Sequence, residues 1–118
     1  MNELIKNVLQ WGKEKGIVGP NGKGTLLTQL SKTQEELTET RDAAVLYENH
    51  LDEMFDKKGE FVFTAEEIKD GIGDQVVTLI LAAELAGTTL EECLALAYSE
   101  IKGRTGKMVN GTFVKDAK

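Results

Sequence analysis

Between Gln29 and Glu39 the chain reads QLSKTQEELTE, and within it Gln29, Lys32, Glu36 and Glu39 recur at steps of three, four and three. Residues so spaced share one face of an α-helix, and at ~100° per residue they form a polar stripe about 80° wide. Leu26, Leu30, Leu37 and Ala44 make a separate apolar stripe beside it, which places the carboxylates at the edge of a core. A second acidic stretch, EEIKDGIGD from Glu66 to Asp74, repeats the arrangement. There Glu67, Asp70 and Asp74 line one face, and Val77 and Leu81 continue it in apolar form. Packed antiparallel, two such helices gather four or five carboxylates in a space with few basic partners. A hard divalent cation with oxygen ligands, Mg²⁺ or Mn²⁺, relieves the repulsion of such a cluster. The same stripes also suit two solvated acidic faces, which is what a charge run usually is.

The elements that must position these acids follow from periodicity. Leu4, Ile5, Val8, Leu9 and Trp11 recur at helical spacing from Glu3 to about Lys15, and Gly16 stands where that helix would end. Trp11 reads first as a large core aromatic and second as a surface for stacking a base. The glycine-rich run GIVGPNGKG, Gly16 to Gly24, fails the phosphate-binding pattern G-x-x-x-x-G-K-[ST], because Gly24 follows Lys23 and the glycine spacing is wrong. It reads as a mobile connection or lid. A long second helix starts near Thr25 and runs to about Asn49. Its Ala43 to Tyr47 are apolar all round, as at the middle of a bundle or at a subunit interface.

DKKGEFVF, Asp56 to Phe63, predicts a short extended segment. Thr64 then reads as an N-cap with Glu67 completing a capping box, which gives Glu67 a structural task and leaves Asp70 and Asp74 as the better ligands. A third helix, about Ala65 to Ala86, turns apolar after Asp74 and should be buried nearly all round. Gly87 ends it, Thr88 or Thr89 caps a fourth helix, and Leu90, Cys93, Leu94, Ala97 and Ile101 fit core spacing there. Asn110-Gly111 between short β-prone runs predicts a terminal hairpin; Asn110-Gly111-Thr112 is also a glycosylation sequon, without meaning in a cytoplasmic protein. The fold class expected is all-α, four helices with a central acidic hairpin and a short β-prone tail, in one domain over residues 1–118.

Composition narrows the function. A single cysteine, Cys93, makes no internal disulfide and fits a reducing cytoplasm, and its place on an apolar face makes it core rather than nucleophile. One histidine, His50, without a cysteine cluster argues against zinc and for a surface or hinge role. No apolar run is long enough to span a bilayer and no signal peptide is present, so neither membrane nor export is expected. A net charge of −6 argues against nucleic acid as the main partner. The charge is uneven: Ile101 to Lys118 holds five basic residues against one acid, a net +4 that leaves −10 for the rest. Such a tail suits either a polyphosphate or simple solubility.

Gln29, Lys32, Glu35, Glu36 and Glu39 form Q-x-x-K-x-x-E-E-x-x-E, and Gly73-Asp74 precedes an apolar helix. This pattern, over roughly Leu4 to Arg104, resembles the MazG-like all-α nucleotide pyrophosphohydrolases, whose superfamily includes dimeric dUTPases and phosphoribosyl-ATP pyrophosphohydrolases. The family's second motif is E-x-x-D, yet Gly71 stands three residues before Asp74. Asp70 can take the missing place, or Glu67-x-x-Asp70 is the motif one turn early. The resemblance implies an Mg²⁺-dependent hydrolase that cuts an NTP or dNTP between the α- and β-phosphates. Glu36, Glu39, Asp70 and Asp74 would hold the ion, and Glu35 would either orient the attacking water or face solvent. Lys32, Arg104 and Lys107 would take the phosphates, with Trp11 or Gln29 open for the base. A homodimer or tetramer is expected from the apolar second and third helices and from the family alike. Two other readings stand beside it: a relative specialised for dUTP or phosphoribosyl-ATP, and a helical interaction module that has lost catalysis, for which Gly71 is the best sign.

Overall fold

The computed structural model describes residues 2–49, 53–55, 59 and 61–117. Four helices dominate: α1 Asn2–Glu14, α2 Leu26–Glu48, α3 Thr64–Leu85 and α4 Leu90–Ile101. Two short antiparallel pairs accompany them, β1 Glu53–Phe55 with β2 Phe61–Phe63 between α2 and α3, and β3 Gly106–Val109 with β4 Thr112–Lys115 at the end. The all-α expectation holds at this level, with the strands as small additions. His50 and most of the stretch 56–60 lie outside the described residues. Among the described residues, no helix is long and apolar enough to cross a membrane.

Helix ends follow local chemistry. Thr25 caps α2 by accepting the Thr28 amide at 3.1 Å, while its own amide donates to Thr28 Oγ1 at 3.1 Å. Thr89 caps α4 through the Glu92 amide, also at 3.1 Å. The expected capping box at Thr64 is not what starts α3. Phe63 occupies the cap position in extended geometry without a side-chain cap bond, and Thr64 is already helical and 1% exposed. The terminal hairpin is as expected: Asn110 and Gly111 both have positive φ, 49° and 82°, which matches the twist of a two-residue turn.

Helix α3 is central. Its Ile80, Leu81, Ala82 and Ala83 are buried, joined by Ile5 from α1, Val18 from the following loop and Ala43 from α2. A Cβ on Gly12 would lie 2.5 Å from Leu81 Cδ2 and 3.2 Å from Val18 Cγ2, so glycine is what lets α1 lie down on α3. Val18 also corrects the picture of a mobile lid. It is 2% exposed, and the loop closes on itself through Lys23 N to Gly16 O and Gly24 N to Ile17 O, each 2.9 Å.

Much of the remaining apolar surface is open. Leu26, Leu30 and Leu37 of the apolar stripe on α2 are exposed, as are Val45 and Tyr47. Helix α4, expected in the core, buries no residue, and Cys93 is a free thiol on an exposed surface. Leu90, Cys93, Leu94 and Ala97 instead face Val76, Leu79 and Ala83 of α3 across an open apolar groove of about 590 Å³. The radius of gyration is 17.1 Å against ~13.5 Å for a compact chain of this length. The accessible surface is 9125 Å² against ~6,300 Å² for a compact monomer of this mass.

Candidate functional site

The face of α2 that packs on α3 is polar. Gln29, Thr33, Glu36, Thr40 and Ala43, at steps of four, three, four and three, are its buried or half-buried positions. On α3 the matching positions are Thr64, Ile68, Gly71, Gln75, Thr78 and Ala82. A repeat of 3.5 residues keeps two helices in register along a seam. Thr33 Oγ1 and Thr78 Oγ1 lie 2.6 Å apart across it, and Gln75 Nε2 donates to Thr40 Oγ1 at 3.1 Å. Because 33 meets 78 and 40 meets 75, the helices run antiparallel, as the sequence suggested.

Gly71 explains the departure from the E-x-x-D pattern. It is buried, and a Cβ there would collide with Thr40 Oγ1. The position expected to hold an acid is thus a close approach of α2 and α3, with no room for a side chain. Its neighbour Asp70 is exposed and turned toward Asp74.

Four acids meet at this level of the seam. Glu36 across the helix pair and Asp70 one turn back lie within side-chain hydrogen-bonding reach of Asp74, and the charges of Asp70 and Glu39 act on it. Its pKa is raised above the ordinary value, first by burial and then by the Asp70 charge; Glu39 and the Asp70 bond add to this, while the Glu36 bond acts the other way. Asp70, one turn back, is among the groups that act on the Asp74 carboxyl. The donors are all hard oxygens, which is the chemistry of a Mg²⁺ or Mn²⁺ site completed by water and phosphate. As placed, no group of three or more His, Cys, Asp or Glu among the described residues is arranged to hold an ion.

Beside Asp74 lies a hollow of about 350 Å³ lined by Leu4, Asn7, Val8 and Trp11 of α1 and by Val77 of α3. Trp11 is 45% exposed there, which corrects its reading as a core aromatic: α1 points its Leu4, Asn7, Val8 and Trp11 face at the acid cluster and not only at the core. Asn7 was not singled out from sequence, and only its i, i+4 relation to Trp11 hinted at it.

The other expected site residues stand apart. Gln29 is 8% exposed and sealed in the seam, where it is packing. Lys32 pairs with Glu35 at 3.1 Å on the solvent side of α2, since Glu35 is ~100° round from the packed Glu36. Glu35 shares a shallow hollow there with Ser31, Gln34, Thr38 and Glu39. Arg104 lines a different hollow with Lys102, Lys115 and Asp116, and Lys107 sits on the fully exposed β3. Neither joins the acids within one chain, because the hairpin stands off the helices. Comparisons of the chain with models of known families, with curated proteins and with solved structures give no match.

Proposed function

We propose that the chain is a MazG-like nucleoside triphosphate pyrophosphohydrolase that converts an NTP or dNTP to the monophosphate and pyrophosphate. The observation that carries this reading is the meeting of Glu36, Glu39 and Asp70 around Asp74 beside the Trp11 hollow. A hollow lined by Trp11 and Asp74, with further carboxyls around Asp74, suits a ligand with a flat apolar end and a cation-carrying anionic end. Nucleoside triphosphates have that form.

Glu36, Asp70 and Asp74 would hold Mg²⁺, with Glu39 as a fourth donor. The bound ion supplies charge neutralisation for the phosphates and lowers the pKa of a water. Trp11 offers a ring face to the base, and Asn7, on the same hollow, offers both a donor and an acceptor. Glu35 shares the outer hollow with Glu39 and is the acid we assign to orienting the attacking water, with Lys32 as its counter-ion. Arg104 and Lys107 remain candidates for the leaving phosphates through a second copy of the chain. The ~2,800 Å² of surface beyond that of a compact monomer supports a homodimer or tetramer.

A panel of NTPs and dNTPs incubated with protein and Mg²⁺ tests the reading, with pyrophosphate distinguished from orthophosphate. Pyrophosphate release that EDTA abolishes is expected. Orthophosphate alone, or no turnover of any member, defeats it.

A further inference from the structure

Helix α4 is formed although none of its side chains is buried. Every residue from 91 to 101 is exposed, and Leu94, Leu96, Tyr98 and Ile101 are each more than half open to solvent. A helix of 12 residues is marginal alone in water, and burial of an apolar face is what holds one in a protein. That face is present: at ~100° per residue, Leu90, Leu94, Ala97, Tyr98 and Ile101 fall within an arc of about 100°. It borders the open groove of about 590 Å³, where Val76, Leu79 and Ala83 of α3 and Leu26 of α2 extend the apolar surface. Contiguous apolar surface of this kind marks a contact site.

The charges beside the face identify what covers it. Glu91 in the first turn and Lys102 at the C-cap are eleven residues apart, or about three turns, so they stand on the same edge of the apolar stripe at its opposite ends. A helix so marked is its own complement. Two copies packed antiparallel about a two-fold axis set Glu91 of each beside Lys102 of the other, whereas parallel packing sets like beside like. The helix dipoles also oppose favourably in the antiparallel arrangement. The area agrees: the ~2,800 Å² beyond a compact monomer exceeds the ~800 Å² that each partner gives to a standard interface.

We propose that the α3–α4 groove is closed by a second copy of this chain, with the two α4 helices antiparallel across a two-fold axis and a Glu91–Lys102 pair at each end. This locates the contact of the oligomer and holds whether or not the chain hydrolyses nucleotides. Cys93 reports on it, because its thiol is exposed in the single chain and lines the groove, so closure shields it.

The test measures mass by light scattering and the rate at which a small aromatic disulfide modifies Cys93, with circular dichroism reporting the fold. The proteins are wild type, Leu94→Glu, Glu91→Lys, Lys102→Glu, the double variant Glu91→Lys/Lys102→Glu, and Val45→Glu. Wild type should be a dimer or larger with a slowly modified thiol, and Leu94→Glu should halve the mass and expose the thiol. Each single reversal should raise the dissociation constant about tenfold, since symmetry removes two pairs at once. The double variant keeps both pairs with their signs exchanged and should return to near wild type. Val45→Glu, exposed on α2 outside the groove, should change neither reading. If Leu94→Glu fails to fold, the charge exchange carries the comparison. An assembly that Val45→Glu dissolves and Leu94→Glu leaves intact overturns the proposal, as does a double variant weaker than either single one. A monomeric wild type that still releases pyrophosphate overturns this contact and leaves the hydrolase standing, and an assembled wild type without turnover does the reverse.

Discussion

Gly71→Ala is the substitution on which helix propensity and packing disagree most. Propensity alone favours alanine by ~1 kcal/mol in a helix interior. Against it, the new methyl carbon meets Thr40 Oγ1 head on and lies 3.1 Å from Thr40 Cβ, where ordinary contacts begin near 3.4 Å. Either α2 and α3 separate by on the order of 1 Å, or Thr40 leaves its rotamer and gives up its bonds to Glu36 and Gln75. Overpacking costs ~1–3 kcal/mol and the lost hydrogen bonding ~1 kcal/mol. The net expectation is a loss of ~1–3 kcal/mol, a fall in Tm of about 3–12 °C for a chain of this size. Calorimetric melts without divalent cation measure it. Thr40→Ala removes Oγ1, the worst of the clashing atoms, and Cγ2, and leaves only Cβ at 3.1 Å, so Gly71→Ala should cost ~1–2 kcal/mol less in that background, the coupling expected of residues in contact. A Tm that rises by the same amount in both backgrounds refutes the close approach.

Three further outcomes follow from the site. Burial and like charge raise the pKa of Asp74, so the folded state holds that proton more tightly than the unfolded chain. Its contribution is unfavourable above the folded pKa and fades as pH falls toward the unfolded value near 3.8. Asp74→Asn should therefore melt above wild type at pH 7 in EDTA, by a margin that closes near pH 4; a lower melt at both pH values contradicts this. In Mg²⁺ the wild type should gain stability and the variant much less. Asp70→Asn should reduce turnover as severely as Glu36→Gln or Asp74→Asn, about 100-fold or more if each removes an ion ligand, whereas Glu67→Gln should stay near wild type; the reverse ranking moves the second motif one turn back. Light scattering at micromolar concentration should give a dimer or larger, and a monomer would leave the exposed faces of α2 and α4 unexplained.

That Glu36, Glu39 and Asp70 stand near Asp74 was legible from spacing, because residues three and four apart share a helix face. The start of α2 near Thr25, a threonine cap on α4 at Thr88 or Thr89 and the Asn110-Gly111 turn were legible because each depends on a few neighbouring residues. What pattern reading missed is the seam. It sought apolar stripes as the packed faces, so Leu26, Leu30 and Leu37 were turned inward and Thr33, Thr40 and Gln75 passed unnoticed. A helix pair can instead close on small and hydrogen-bonding residues when one position is glycine, and the repeat of 3.5 residues then carries the signal without hydrophobicity. Trp11 was misplaced for the reason that an aromatic on an amphipathic helix usually faces the core. Which helix it faces depends on the tertiary arrangement, and Asn7 could not be read before α1 was placed on α3.

The polar seam and the open apolar faces are two sides of one arrangement. Four carboxylates can be brought together between α2 and α3 only if the helices meet there through side chains able to link across the gap, which excludes the leucines from that interface. Those leucines must then face elsewhere, and Leu26, Leu30 and Leu37 emerge exposed beside the seam, Leu26 lining the groove where α4 presents Leu94 and Ala97 to α3. The helix pair that holds the acids thus gains little of its stability from burial at their level, since its buried contacts there are threonine, glutamine and glycine. Association through the exposed faces is the remaining source of apolar burial, at ~25 cal/mol per Å².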